Sequence, residues 1–192
     1  RNKAVHSSFT NGWIMQCLLF LFKGGLYMFR SGDIVLYRLD VSQIKQIKQE
    51  KDRTFYLLYS LGSEYCEFKV PCDNAGGHLQ SLPSKQTLEH YLDEMADLVC
   101  FEIPRNPGFQ YYQNILNSVD LRDWCALLKT LYRNRCNALE HGKRFNQKQS
   151  QYYEYVLEKL ATIYSFVRHQ TIDSCKALLE QTLEQIYVAN GA

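Results

Sequence analysis

Apolar positions follow two different periods along this chain. Between Asp33 and Pro71 they fall in short runs rich in β-branched and aromatic residues: Ile34-Val35-Leu36-Tyr37, Val41 to Ile47, Thr54-Phe55-Tyr56-Leu57-Leu58-Tyr59, and Tyr65 to Val70. Such runs read as strands. The polar break Gln49-Glu50-Lys51-Asp52 and the turn Leu61-Gly62-Ser63 separate the last three, and Pro71 stops the fourth. Asp73-Asn74-Ala75-Gly76-Gly77 then supplies turn chemistry. The pattern predicts a meander that forms a small antiparallel barrel. In its last strand Cys66, Phe68 and Val70 share one face, which sends Glu67 and Lys69 to the other.

Beyond Leu82 the period becomes helical. Leu88, Tyr91, Leu92, Met95, Leu98 and Val99 follow a candidate cap at Ser84. After Pro104 and Pro107 a short helix carries Phe109, Tyr112, Ile115 and Leu116. Asp120 opens the next helix, in which Leu121, Trp124, Cys125, Leu128, Leu131 and Tyr132 share a face and Arg122, Lys129, Arg133 and Arg135 point elsewhere. Gly142 marks a connection, and Asn146 with Gln149 forms a capping-box pattern. The helix that follows has a broad apolar face from Tyr152 to Val167, and a final helix is expected over about residues 171 to 188. The fold class predicted is α+β, a small antiparallel β-barrel followed by an all-α helical bundle.

Residues 1–27 read differently. The apolar stretch Trp13 to Phe22 is about ten residues long, too short to span a bilayer. Few basic residues precede it and no small-x-small cleavage pattern follows it, as a secretory signal requires. Lys23-Gly24-Gly25 can be encoded by the purine-rich sequence that a bacterial ribosome pairs with, just ahead of Met28. We expect a leader translated by mistake, or a disordered extension, with the folded protein beginning at Met28; a genuine N-terminal extension and a signal are the alternatives.

Charge changes the picture only locally. The 192 residues carry a formal net charge of +2, but the balance is about −3 over residues 28 to 100 and about +5 over residues 121 to 169. A nucleic-acid surface therefore belongs to the second half, where Arg133, Arg135, Lys143, Arg144 and Lys148 could form a phosphate-binding strip. The seven cysteines are odd in number, scattered and mostly in apolar runs, which fits reduced thiols in a cytosolic protein.

Cys66, Cys72 and His78 recur every six residues, a spacing that matches no zinc signature. His78, His90, His141 and His169 share no context with a cysteine, and neither a Gly-x-Ser-x-Gly elbow nor a Gly-rich phosphate loop occurs. The reading is non-enzymatic, without a metal. Tyr111-Tyr112 and Tyr152-Tyr153-x-Tyr155 could stack on single-stranded bases, but at helical spacing they are expected to cover the bundle core.

Three blocks carry a family resemblance. Phe29-x-x-Gly32-Asp33-x-Val35-x-Tyr37, then Val70-Pro71-x-Asp73-Asn74-Ala75, then Asp120 opening a helix that ends in Leu131-Tyr132-Arg133 together resemble the CarD family of bacterial transcription regulators. Their order and spacing cover nearly all of residues 28 to 168. The resemblance implies a Tudor-like or SH3-like module over residues 28–82 that binds the β subunit of RNA polymerase, as does the related module of the transcription-repair coupling factor. It implies a helical DNA-binding domain over residues 83–188, with an extra helix after His169, touching promoter DNA at the upstream edge of the melted bubble. Together these would stabilise the open complex, often at ribosomal RNA promoters, in the cytoplasm. No cofactor, small-molecule substrate or membrane is implied.

The same resemblance implies site residues. Lys69 occupies the basic position ahead of Val-Pro that contacts polymerase, and Lys48, Lys51 and Arg53 are candidates for a second basic contact. For DNA the candidates are Arg105, Phe109, Arg133, Lys143, Arg144 and Lys148. The family uses a Trp near the start of its first short helix as a wedge beside an unpaired base step. Here Pro104-Arg105-Asn106-Pro107-Gly108-Phe109 contains no Trp, leaving Phe109 to take over the wedge, while Trp124 aligns inside a helix and is expected in the core. The family's Gly-Glu-Lys-Arg run is replaced by Lys148-Gln149-Ser150-Gln151, so two basic contacts become one. These departures motivate an alternative, an adaptor that keeps the polymerase-binding module but has lost productive DNA contact.

Overall fold

A computed structural model of the chain describes residues 29–62, 66–74, 78–104 and 107–189. The leader expected over residues 1–27 and the start at Met28 lie outside the described residues, as does Arg105. The chain is α+β. Among the described residues five strands come first, β1 (Ile34–Tyr37), β2 (Asp40–Glu50), β3 (Arg53–Ser60), β4 (Glu67–Pro71) and β5 (Leu79–Ser81), and five α-helices follow, α1 (Lys85–Glu94), α2 (Phe109–Leu116), α3 (Leu121–Glu140), α4 (Gln147–Arg168) and α5 (Ile172–Ala189).

The strands pair antiparallel in the order β4-β3-β2-β1-β5. This corrects the expected closed barrel: among the described residues β4 and β5 are the two edges of an open sheet. Pro71 cannot donate a ladder hydrogen bond and β4 gives way at once to a 3-10 turn, Cys72–Asn74. β5 was not expected at all. It holds three residues with Leu79 as its only apolar side chain, and it exists because Val35, Leu36 and Tyr37 offer it a pairing edge.

The first sequence block is legible in the fold. Gly32 sits at φ 94°, in the region open to glycine, and its N–H donates to the Ile44 carbonyl at 2.7 Å. Asp33 Oδ2 accepts from the Arg30 N–H at 2.7 Å, which ties the entry into β1. Phe29 and Val35 enter one buried cluster with Ile44, Tyr56, Leu58, Val70 and Leu79 on the inner face of the sheet. A bulge between Ile44 and Gln46 bends β2 and frees Lys45 to donate to Tyr59 Oη at 2.6 Å.

β1 and β2 meet at the tight turn Arg38-Leu39, with both residues left-handed at φ 50° and 63°. Two-residue hairpins favour such backbone, but the usual occupants are Asn and Gly. A side chain there costs roughly 1–2 kcal/mol per residue. Leu39 offsets that cost by burial. With Leu36 and Val41 it leaves the sheet core and joins the larger cluster formed by the helices.

The helices begin where their caps dictate. Ser84 Oγ accepts from the Thr87 N–H at 3.0 Å, Asp120 Oδ1 from Arg122 at 2.9 Å, and Asn146 Oδ1 from Lys148 and Gln149 at 2.9 and 3.1 Å. The Gln149 side chain does not complete a box; its Oε1 accepts from Asn134 on α3 at 3.5 Å. Trp124, Leu128, Leu131, Leu160, Ile163 and Tyr164 form the centre of the bundle, as the periodicity predicts, and Leu127 joins them. Tyr164 Oη donates to the Leu88 carbonyl at 2.9 Å and so fastens α1 to α4. The last helix covers the bundle, burying Cys175, Leu179 and Leu183.

Candidate functional site

Two groups of candidate residues can be followed from the sheet upward. On β3, alternation buries Tyr56 and Leu58 and turns Phe55 and Leu57 outward. Lys48 lies opposite Phe55 and Lys69 opposite Leu57 in the ladder, so both lysines stand on the outer face, as the alternation in β4 predicts. Lys69 Nζ is 4.4 Å from the centre of the Phe55 ring and donates to Glu50 Oε2. Lys48 Nζ reaches Glu50 Oε1 at 3.1 Å. Lys51 sits in the β2–β3 turn at φ 52° and Arg53 opens β3, both exposed. Lys48, Lys51 and Arg53 thus lie at the β2–β3 turn end of the sheet, and Lys69 on edge strand β4 is joined to Lys48 through Glu50.

Glu50 is the hub of that group. Its hydrogen bond from Lys69, and then that from Lys48, hold its carboxyl below the ordinary value. Because the folded pKa is depressed, the ion pairs are present above the ordinary glutamate pKa and are lost as pH falls through the folded one. An NMR titration of the Glu50 carboxyl should have its midpoint below the ordinary glutamate value, and Lys69→Met should raise it. A midpoint unmoved by that substitution would mean that Lys69 does not engage Glu50 in solution.

The second group faces the helices. Lys148, in the first turn of α4, sends its Nζ to the Pro107 carbonyl at 3.2 Å, so the segment before α2 and the start of α4 converge. Phe109, the first residue of α2, is 66% exposed. Phe109 and Lys148 line one cleft of about 810 Å³ between the bundle and the sheet. From the sheet side come Tyr37 and Phe68, with ring centres 5.2 Å apart, and Arg38 at the turn. Trp124 and Tyr155 line it from α3 and α4, with ring centres 6.0 Å apart.

Trp124 is buried, as expected, and its Nε1–H donates to the Ser118 carbonyl at 3.2 Å. Tyr152 stacks on Tyr112 at 3.9 Å; Tyr112 is fully buried, and burial pushes its phenol up to about 12. Of the tyrosines expected to cover the core, Tyr112 and Tyr153 are fully buried and Tyr111 and Tyr152 pack half-buried against it, while Tyr155 is 45% exposed. The signal was present: Lys148, Tyr152 and Tyr155 recur at i, i+4 and i+7, a cation and two rings on one helix face.

Of the other DNA candidates, Arg133 is exposed on α3, and Lys143 and Arg144 are exposed in the connection before α4. Arg135 lies over the Tyr153 ring at 5.4 Å. Across the cleft floor, Asp40 is held by Lys159 of α4, an ion pair that joins the sheet to the bundle. Among the described residues no group of three His, Cys, Asp or Glu side chains is gathered as metal ligands, and no helix is long and apolar enough to cross a membrane. No family model matches the chain, and no curated protein matches it.

Proposed function

We propose that this chain is a non-enzymatic regulator of bacterial transcription, in which a Tudor-like β-module binds the RNA polymerase β subunit and the helical part leans on promoter DNA. The observation that carries this reading is the gathering of Lys69, Lys48, Lys51 and Arg53 beside an edge strand. An edge strand exposes main-chain donors and acceptors that an extended partner segment can pair with, and although Lys48 and Lys69 share Glu50, the four cations outnumber Glu50 and Asp52 at that end, which favours an acidic partner surface. The three sequence blocks that resemble the CarD family supply the identity of the partner.

The DNA arm rests on Phe109 and Lys148 at the mouth of one cleft, with Arg133, Lys143 and Arg144 on exposed surface. An exposed ring can enter a widened minor groove beside the bubble, and the cations neutralise phosphates without reading sequence. The chain would act by binding the open complex better than the closed one, the only way a ligand shifts that balance.

The test is the lifetime of open complexes at a ribosomal RNA promoter, measured with purified polymerase over a range of salt. The expected result is a longer lifetime with the chain present, an advantage that shrinks as salt rises. Polymerase binding with unchanged lifetime would leave only the adaptor reading. No association with polymerase would remove both.

A further inference from the structure

We infer that the cleft between the sheet and the bundle is a binding site for a free nucleoside phosphate, taken up by the chain alone. This goes beyond the polymerase and DNA contacts and does not depend on them. The size suits the assignment, since small-molecule sites usually enclose about 300–1,000 Å³ and this cleft holds about 810 Å³.

Its walls select a planar ligand. Tyr37 and Phe68 present rings from the sheet, and Phe109 and Tyr155 present rings from the helices. Phe109 is 66% exposed and Tyr155 45%, the Tyr155 ring also carrying Lys159 Nζ 5.5 Å from its centre. Rings contributed to one lining by both the sheet and the helices favour a flat ring system as ligand, and stacking of that kind accepts any base.

Its charges select an anion. Arg38 and Lys148 both line the cleft, and among the described residues neither has a carboxylate within ion-pair distance. Lys148 donates to the Pro107 carbonyl, lies 5.8 Å from the centre of the Tyr112 ring and makes no other hydrogen bond among the described residues, which leaves donors for a ligand. The guanidinium of Arg38 lies over the Tyr37 ring, 5.6 Å from its centre, so cation and ring form one wall of the cleft. Among the described residues the lining holds one carboxylate, Asp40, which is engaged by Lys159 and offers no free charge to a cationic ligand. Base plus phosphate satisfies both requirements; a bare aromatic or a bare phosphate satisfies one.

Isothermal titration of the purified full chain with AMP, GMP, UMP and ATP tests this, with adenosine and ribose 5-phosphate as half-ligands. The expected result is saturable nucleotide binding, with each half-ligand weaker, and, in a Trp13→Phe variant that leaves Trp124 as the sole indole, quenching of tryptophan emission on the same concentration scale. Lys148→Ala and Arg38→Gly should each weaken binding by roughly tenfold, the usual scale for a hydrogen bond to a charged group. Glycine suits position 38 because φ is 50° there, so that variant keeps the turn. The proposal is overturned if no nucleotide binds at millimolar concentration, if both variants bind as tightly as the parent, or if single-stranded oligonucleotides bind and free nucleotides do not.

Discussion

Replacing Trp124 with alanine is expected to cost about 3–5 kcal/mol of folding free energy, the usual range for removing a fully buried aromatic side chain. Trp124 is only 1% exposed and stands where α3 faces α4 and the cleft. Its indole N–H also satisfies the Ser118 carbonyl, which fixes the residues leading into the Asp120 cap. Trp124→Phe keeps most of the apolar area and loses that hydrogen bond, so it should cost less, about 1–3 kcal/mol. Urea unfolding followed by circular dichroism reads both values. An alanine loss of about 0.5 kcal/mol or less, the scale of a surface substitution, would contradict the place given to this ring.

Leu39 gives the second large effect, and one with an unusual order. Leu39→Ala removes a side chain that is 2% exposed and should cost about 2–5 kcal/mol. Leu39→Gly removes the same contacts but relieves a left-handed backbone, φ 63°, that costs a side-chain-bearing residue about 1–2 kcal/mol. The glycine variant should therefore be more stable than the alanine variant. In extended or helical backbone glycine is the less stable of the two. An alanine variant as stable as glycine, or more so, would show that the turn does not hold the strain assigned to it.

That turn also explains what could be read in the sequence and what could not. The helices were legible because their starts rest on local chemistry: Ser84, Asp120 and Asn146 each accept backbone N–H groups within the first turn. The strands from Ile34 to Val70 were legible because alternation and β-branched content are properties of short segments. Arg38-Leu39 carries no turn signature, since neither residue favours positive φ, and only the burial of Leu39 in a core built about a hundred residues later makes it stable. β5 is likewise made by its partner strand. The open sheet was missed for the same reason, because closure depends on how two edges meet.

The site was legible in pieces. Lys69 is named from its block and strand phase and Lys48 only as one of three candidates for a second basic contact, whereas their common partner Glu50 emerges only once β2, β3 and β4 are in register. Phe109 and Lys148 were named separately, and the Pro107 carbonyl brings their segments together. Tyr37, Arg38 and Phe68 could not be added from the sequence, because they reach the cleft from strands distant in the chain.

The central claim is tested most directly by the affinity of the full chain for the isolated polymerase β subunit, measured by biolayer interferometry for the parent and for Lys69→Glu. Saturable binding that Lys69→Glu weakens by roughly tenfold or more, the scale expected when an interfacial cation is reversed, is the predicted result. Absence of binding by the parent, or equal affinity for the variant, would contradict it.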